Sequence, residues 1–189
     1  MSVKETIIFG LDPGVTRFGC VAMDQALGEP VAWATFHSSG DPYTSMPHFL
    51  RVSQLAREVV AWMKPLTVGY KYVVVVIEKP IYNKNAKAFE LQWRLFQQVL
   101  TYARHVMAPD EFMEVSNGTV KKALTGIGSA KKIDMVCASH FDGPGYTQPD
   151  AEALADAQGV AMCWENMRGY GPNDRTQACH PGPVVMGEM

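Results

Sequence analysis

The chain has 189 residues, an ordinary apolar fraction and a formal net charge of −2, which suits one domain with a substantial core. No stretch approaches the roughly 20 consecutive apolar residues of a membrane span, and the opening Met-Ser-Val-Lys-Glu-Thr lacks the apolar segment and cleavage site of a signal peptide. Four cysteines (Cys20, Cys137, Cys163, Cys179) form no C-x-x-C pair. Free thiols in a reducing compartment are therefore expected. Cys179-His180 has no other Cys or His at zinc spacing, so no zinc site is expected there.

Ile7-Ile-Phe-Gly-Leu-Asp12 reads as the first strand, and it runs into the turn Asp12-Pro13-Gly14. A carboxylate at the end of a core strand costs several kcal/mol if unpaired. Either a divalent cation or backbone N–H donors in the turn must then compensate Asp12. Phe18 to Asp24 reads as a second strand and Val31 to Phe36 as a third, joined through the turn Ala26–Pro30. Connections this short imply antiparallel neighbours. From His48 to Met63, Leu50, Val52, Leu55, Val59, Val60 and Met63 recur at helical spacing.

Tyr72-Val-Val-Val-Val-Ile-Glu78 is a continuous β-branched run, the mark of a strand buried on both faces. It also ends in an acid. If it lies beside the first strand, Asp12 and Glu78 share one end of the sheet and could share one metal. Ala86 to Met107 reads as a helix with Phe89, Trp93, Phe96, Leu100 and Met107 on one stripe, and Trp93 and Phe96 are expected in the core. Phe112–Val115 reads as a fifth strand. Ser116-Asn117 caps a helix through Leu124, and Gly126-Ile-Gly128 breaks the chain before a helix from Ala130 to His140. Asp150 to Met167 reads as the last helix, and residues 169–189 as an irregular tail after a domain of residues 1–168. The order predicts a mixed sheet of five strands flanked by helices, in the α/β or α+β class.

Two further features carry chemistry. Lys79 to Lys132 holds nine Lys/Arg against four acids, an excess of five positive charges that leaves −7 for the remainder. A basic centre in an acidic chain fits either a phosphate-binding face or a solvated helix surface. Glu152 and Asp156 stand four apart on one helix face, interleaved by Ala151, Ala153, Ala155 and Ala157. Small residues let that helix approach another backbone closely. Like charges at this spacing repel, and divalent ions would offset them.

The chain resembles the RuvC-type Holliday-junction resolvases of the ribonuclease H-like superfamily. Gly10-Leu-Asp-Pro-Gly14 leading to Phe18-Gly-Cys-Val is similar to that family's G-[IL]-D-P-G opening. Val76-Ile-Glu78 followed by Asn83-Lys-Asn85-Ala86 is similar to its glutamate strand and K-N-A segment. Val120-Lys121-Lys122 through Gly126-Ile-Gly128-Ser-Ala-Lys131-Lys132 is similar to its V-K-x-x-x-x-G-x-G-x-A-x-K run, and Asp156-Ala157 is similar to the end of its last motif.

The resemblance implies an α/β ribonuclease H-like fold. It implies a structure-selective endonuclease that resolves four-way junctions by paired, symmetric, metal-dependent nicks. Asp12, Glu78 and Asp156 would be metal ligands and Lys132 the active-site lysine. The usual D-x-x-D-A pattern would put a fourth acid at Ala153; Glu152 takes that role here, with Asp150 in reserve. Two Mg²⁺ ions per site are implied, with Mn²⁺ as a substitute, since oxygen donors without thiolate or imidazole favour hard cations. Lys79, Lys84, Lys121, Lys122 and Lys131 would contact DNA. Ile81 or Tyr82 stands where the family carries its aromatic wedge. A C₂ homodimer through the Phe89–Met107 helix would match a substrate with two strands to cut.

Other readings are a general branched-DNA or RNA-processing nuclease of the same fold, and a nucleic-acid-binding module with weakened chemistry. A nucleotide-binding phosphotransfer domain of the actin-like kind would need a duplicated domain that 189 residues cannot hold. With no visible targeting segment, a cytoplasmic protein of bacterial or phage origin is expected.

Overall fold

The computed structural model describes residues 4–40, 43–82 and 84–169. The elements run β1 (Lys4–Asp12), β2 (Arg17–Asp24), β3 (Glu29–His37), a 3₁₀ turn (Tyr43–Ser45), α1 (His48–Leu66), β4 (Tyr70–Glu78), α2 (Ala86–Val106), β5 (Glu111–Val115), α3 (Asn117–Thr125), α4 (Lys132–Ala138) and α5 (Gln148–Met167). The five strands form one mixed sheet in the order β3-β2-β1-β4-β5. The first three meander antiparallel, while β1 pairs with β4 and β4 with β5 in parallel. The expected α/β architecture is observed.

Strand alternation sorts the side chains into two cores. Ile7, Phe9, Leu11, Val75 and Ile77 face α1 and α2, where Leu55, Val59, Met63, Phe96 and Val99 complete one cluster. Ile8, Val21, Met23, Val74 and Val76 face α5, joined by Val120, Met135 and the alanines of α5. Asp12 and Glu78 continue the alternation of Ile8 and Val76 on this second face. The register pairs Leu11 with Ile77, so both acids leave the sheet on the α5 side at neighbouring strand ends.

Helix α5 lies directly on the sheet backbone. A Cβ at Gly10 would stand 2.1 Å from the Ala157 carbonyl oxygen and 2.6 Å from the Ala161 nitrogen, and one at Gly19 would stand 2.1 Å from the Ala153 carbonyl oxygen. Ala153, Ala157 and Ala161 make this contact, and Ala151 and Ala155 are buried as well. Gly10→Ala is therefore expected to destabilise the protein by about 3 kcal/mol or more, because the opposing atoms are helix backbone rather than a mobile side chain. Urea unfolding reads this directly; a wild-type midpoint would show that α5 can lift at little cost.

Two expectations change. Trp93 is not a core residue: it is 44% exposed, whereas Phe96 is fully buried. The buried face of α2 is Leu95, Phe96, Val99, Leu100 and Ala103, so the apolar stripe is wider than the core it serves. Phe89 and Trp93 continue outward as a stack on Phe96, with ring centroids 6.2 and 5.4 Å apart. The helix expected over 130–140 spans only Lys132–Ala138, because the Asp134 carboxylate accepts from the Lys131 backbone N–H and fixes the start. The expected tail begins at Gly169; its residues 170–189, with Cys179-His180, lie outside the described residues, as does Asn83.

Candidate active site

The local sequence explains how each acid arrives. Asp12 ends β1 where Pro13 and Gly14 turn the chain, and Glu78 ends β4 where Pro80 follows Lys79. Thr147 caps α5 by accepting from the Asp150 N–H, with Pro149 in the first turn. Eight residues on from Gln148, Asp156 reaches the sheet end occupied by Asp12 and Glu78. From Ala151 to Trp164, Glu152 and Asp156 are the two residues of α5 that are not fully buried.

These groups act on one another. Burial first, then the Asp156 and Glu78 carboxylates, push the Asp12 carboxyl well above the usual range, with Lys132 partly opposing. Burial raises Glu78 to about 7, against the hydrogen bond from Asn117 and the charges of Lys121 and Lys132. Burial also raises Asp156, again opposed by Lys132 and Lys121. Among the described residues, neither Asp12 nor Asp156 makes a side-chain hydrogen bond or ion pair. Strand-end turn donors therefore do not compensate Asp12.

Glu152 differs. Its Oε2 accepts from Lys132 Nζ at 2.9 Å and its Oε1 from Gln148 Nε2 at 3.2 Å. The Lys132 contact holds its carboxyl below the ordinary range. Lys132 thus stands between Glu152 and the buried acids. Asp150 is turned elsewhere: its Oδ1 lies 2.8 Å from Arg17 Nε and 3.4 Å from His37 Nε2. Burial alone would raise its carboxyl, but the Thr147 hydroxyl, Arg17 and His37 outweigh that and hold it low. Ala153 is buried where α5 rests on Gly19.

The remaining predicted residues divide. Lys121 is close enough to act on Glu78 and Asp156, while Lys122 and Lys131 are on the neighbouring α3–α4 segment, Lys131 exposed and Lys122 at the last turn of α3. Lys79 pairs with Glu114 at 3.0 Å, on the sheet face opposite Glu78. Lys84 is exposed with φ of 55°. Ile81 and Tyr82 are exposed, and Tyr82 meets Phe89 edge-on at 5.7 Å. Two participants had no sequence signal. Asn117, legible only as part of a helix cap, donates to Glu78 Oε1 at 3.0 Å. Gln148 supports Glu152 from one helical turn away.

The donor chemistry suits a hard divalent cation: oxygen atoms alone, two of the carboxylates making no hydrogen bond or ion pair among the described residues. Among the described residues, no three Asp, Glu, His or Cys side chains converge into a ready-made metal cage. The cluster is therefore an open one, and a cation would have to draw its acids together.

No family model matches the chain, and no curated protein does. Solved structures do. The structure of Thermus thermophilus RuvC in complex with a Holliday junction substrate superposes with a TM-score of 0.64 at 20% identity, over 87% of this chain and 97% of that one. A second Thermus thermophilus RuvC structure gives 0.58 at 20% identity, over 87% and 98%. The fold is that of RuvC. The match takes in nearly the whole length of both RuvC chains, and the carboxylates of β1, β4 and α5 sit at one end of the shared sheet.

Proposed function

We propose that this chain is a divalent-metal-dependent endonuclease that resolves four-way DNA junctions, with residues 1–168 as the nuclease unit. The observation that carries the reading is that three elements of a RuvC fold bring Asp12, Glu78 and Asp156 to one end of the sheet, where their charges act on one another and on Lys132 and Lys121; Asp12 and Asp156 make no side-chain hydrogen bond or ion pair among the described residues. Asp12, Glu78 and Asp156, with Glu152, would hold Mg²⁺ or Mn²⁺, two ions per site. Bound there, the ions would supply the Lewis-acid charge for in-line displacement at phosphorus.

The chain's own residues do the rest. Glu78, with its carboxyl raised to about 7, is partly protonated near neutral pH until a cation competes for it. Lys132 neutralises Glu152 and lowers the field on Asp12 and Asp156. Lys121, Lys122 and Lys131 extend positive charge along one side of the cluster, where they would take flanking phosphates. Replacing Lys121, Lys122 and Lys131 with Gln together is expected to weaken junction binding and to lower the slope of log affinity against log salt by about three at most. Filter binding across a KCl series reads this, and an unchanged slope would place the DNA elsewhere.

A homodimer matches a substrate with two equivalent strands to cut, and the exposed Trp93, stacked on the half-buried Phe89 of α2, supports that helix as the contact. Trp93→Glu is expected to shift the protein to a monomer in sedimentation at micromolar concentration and to uncouple the two nicks. A wild-type protein that sediments as a monomer with and without junction would remove this part of the proposal. Free thiols at Cys20, Cys137 and Cys163 support a reducing, cytoplasmic setting. Among the described residues no helix is long and apolar enough to cross a membrane.

The test of the function is a substrate panel: four-way junction, three-way junction, linear duplex and RNA–DNA hybrid, each with Mg²⁺ and with Mn²⁺. Strong preference for the four-way junction is expected. Equal rates on all branched substrates would make this a general structure-selective nuclease, and binding without cutting would make it a binding module.

A further inference from the structure

The salt bridge between Arg17 and Asp150 lies outside the group of buried acids, yet at its rim. Arg17 opens β2 two residues before Gly19, so it shares the α5 face of the sheet. Gly19 is the register partner of Asp12. The sheet order places β2 on one side of β1 and β4 on the other. Lys121 approaches from α3 on the β4 side, next to Asn117 and Glu78. Arg17 approaches from the β2 side and is near enough for its charge to act on Glu152.

The geometry of the pair is directional. Arg17 Nε and Asp150 Oδ1 are both buried and 2.8 Å apart, an ion contact without the alignment of a hydrogen bond, and His37 Nε2 lies 3.4 Å from the same oxygen. The Arg17 side chain nevertheless keeps 32% of its surface exposed. Among the described residues its terminal nitrogens make no hydrogen bond. Asp150 faces the inner nitrogen as a counter-charge, and the outer fork makes no hydrogen bond among the described residues. A partly exposed pair adds about 0–1 kcal/mol to stability, a small return for burying two polar atoms that share no aligned hydrogen bond. A planar fork presented this way suits a phosphate, which it can take with two parallel bonds.

We propose that Asp150 is a positioning residue that holds Arg17 as a phosphate-binding group on the β2 side of the cluster, so that the DNA backbone is gripped from both sides of Asp12. This rests on the nuclease reading above, and it gives Asp150 a role other than metal ligation.

The experiment compares wild type, Arg17→Gln, Arg17→Lys, Asp150→Asn and the Arg17→Gln/Asp150→Asn double variant, using a synthetic four-way junction. Metal-free binding is titrated with KCl, and cleavage is followed with Mg²⁺. Arg17→Gln is expected to reduce the slope of log affinity against log salt by about one and to raise KM about tenfold. Arg17→Lys should recover the slope but not the cleavage rate, since an ammonium lacks the fork. Asp150→Asn should slow kcat several-fold while leaving KM unchanged or lower, and the double variant should be no slower than Arg17→Gln alone. An unchanged slope and KM in Arg17→Gln would overturn the proposal. So would a double variant whose loss is the product of the two single losses, or variants that differ from wild type only in melting temperature. If the wild type fails to cut the junction, the nuclease reading fails, and the salt slope still decides whether Arg17 meets a phosphate.

Discussion

Asp12→Asn is expected to abolish junction cleavage and, in the absence of metal at pH 8, to make the protein more stable. The substitution keeps the shape of the side chain and removes its charge. In the wild type the Asp12 carboxyl is desolvated, stands among Asp156 and Glu78, and has no hydrogen-bond partner among the described residues, so folding at pH 8 either buries its charge or holds a proton that the unfolded chain has released. Removing an uncompensated buried charge typically returns about 1–3 kcal/mol. The same charge would be the strongest single attraction for a cation, so its loss should cost about 10³-fold or more in rate. Urea unfolding and single-turnover cleavage on one preparation read both effects. A variant that cuts at the wild-type rate would remove Asp12 from the chemistry. A variant that is inactive and also less stable at pH 8 would mean that Asp12 is compensated in the fold after all.

The second large effect is the pH dependence of the metal-free protein. Glu78 ionises at about 7 in the folded state against an ordinary 4.5, and the Asp12 and Asp156 carboxyls are raised in the same direction. Between pH 4.5 and 7 the folded chain therefore holds protons that the unfolded chain has released. Stability must fall as pH rises through that window. Glu78 alone accounts for a loss of about 3 kcal/mol, because each pH unit between the two ionisations is worth roughly 1.4 kcal/mol. Asp24, Asp150 and Glu152, whose carboxyls are held low, are charged in both states over most of this range and do not oppose the trend. Mg²⁺ or Mn²⁺ competes with those protons, so the ion should raise the melting temperature more at pH 7.5 than at pH 5. A metal-free protein whose stability is flat or rising from pH 5 to 7.5 would contradict the raised carboxyls.

Much of this site could be read from the chain because strand periodicity and strand ends are local. The β-branched run Tyr72–Ile77 marks a buried central strand, and an acid closing it is conspicuous for the same reason as Asp12. Helical spacing puts Glu152 and Asp156 on one face, and the interleaved alanines announce the close approach that Gly10 and Gly19 complete. What was not legible depends on contacts between distant segments. Lys132 and Glu152 are partners across 20 residues. Asn117 meets Glu78 because α3 starts beside the end of β4. Asp150 faces Arg17 rather than the buried acids because Thr147 and the first turn of α5 point it towards β2. Trp93 lies outside the core because helical periodicity identifies an apolar stripe but not how much of it the core covers.

The most direct test of the account is to map the nicks on an immobile four-way junction, labelling each strand in turn, with Mg²⁺, for wild type and Asp12→Asn. Paired nicks at symmetric positions on two opposing strands, absent from the variant, are the predicted result. Junction binding with no nick in Mg²⁺ or Mn²⁺, or nicks that persist unchanged in Asp12→Asn, would contradict it.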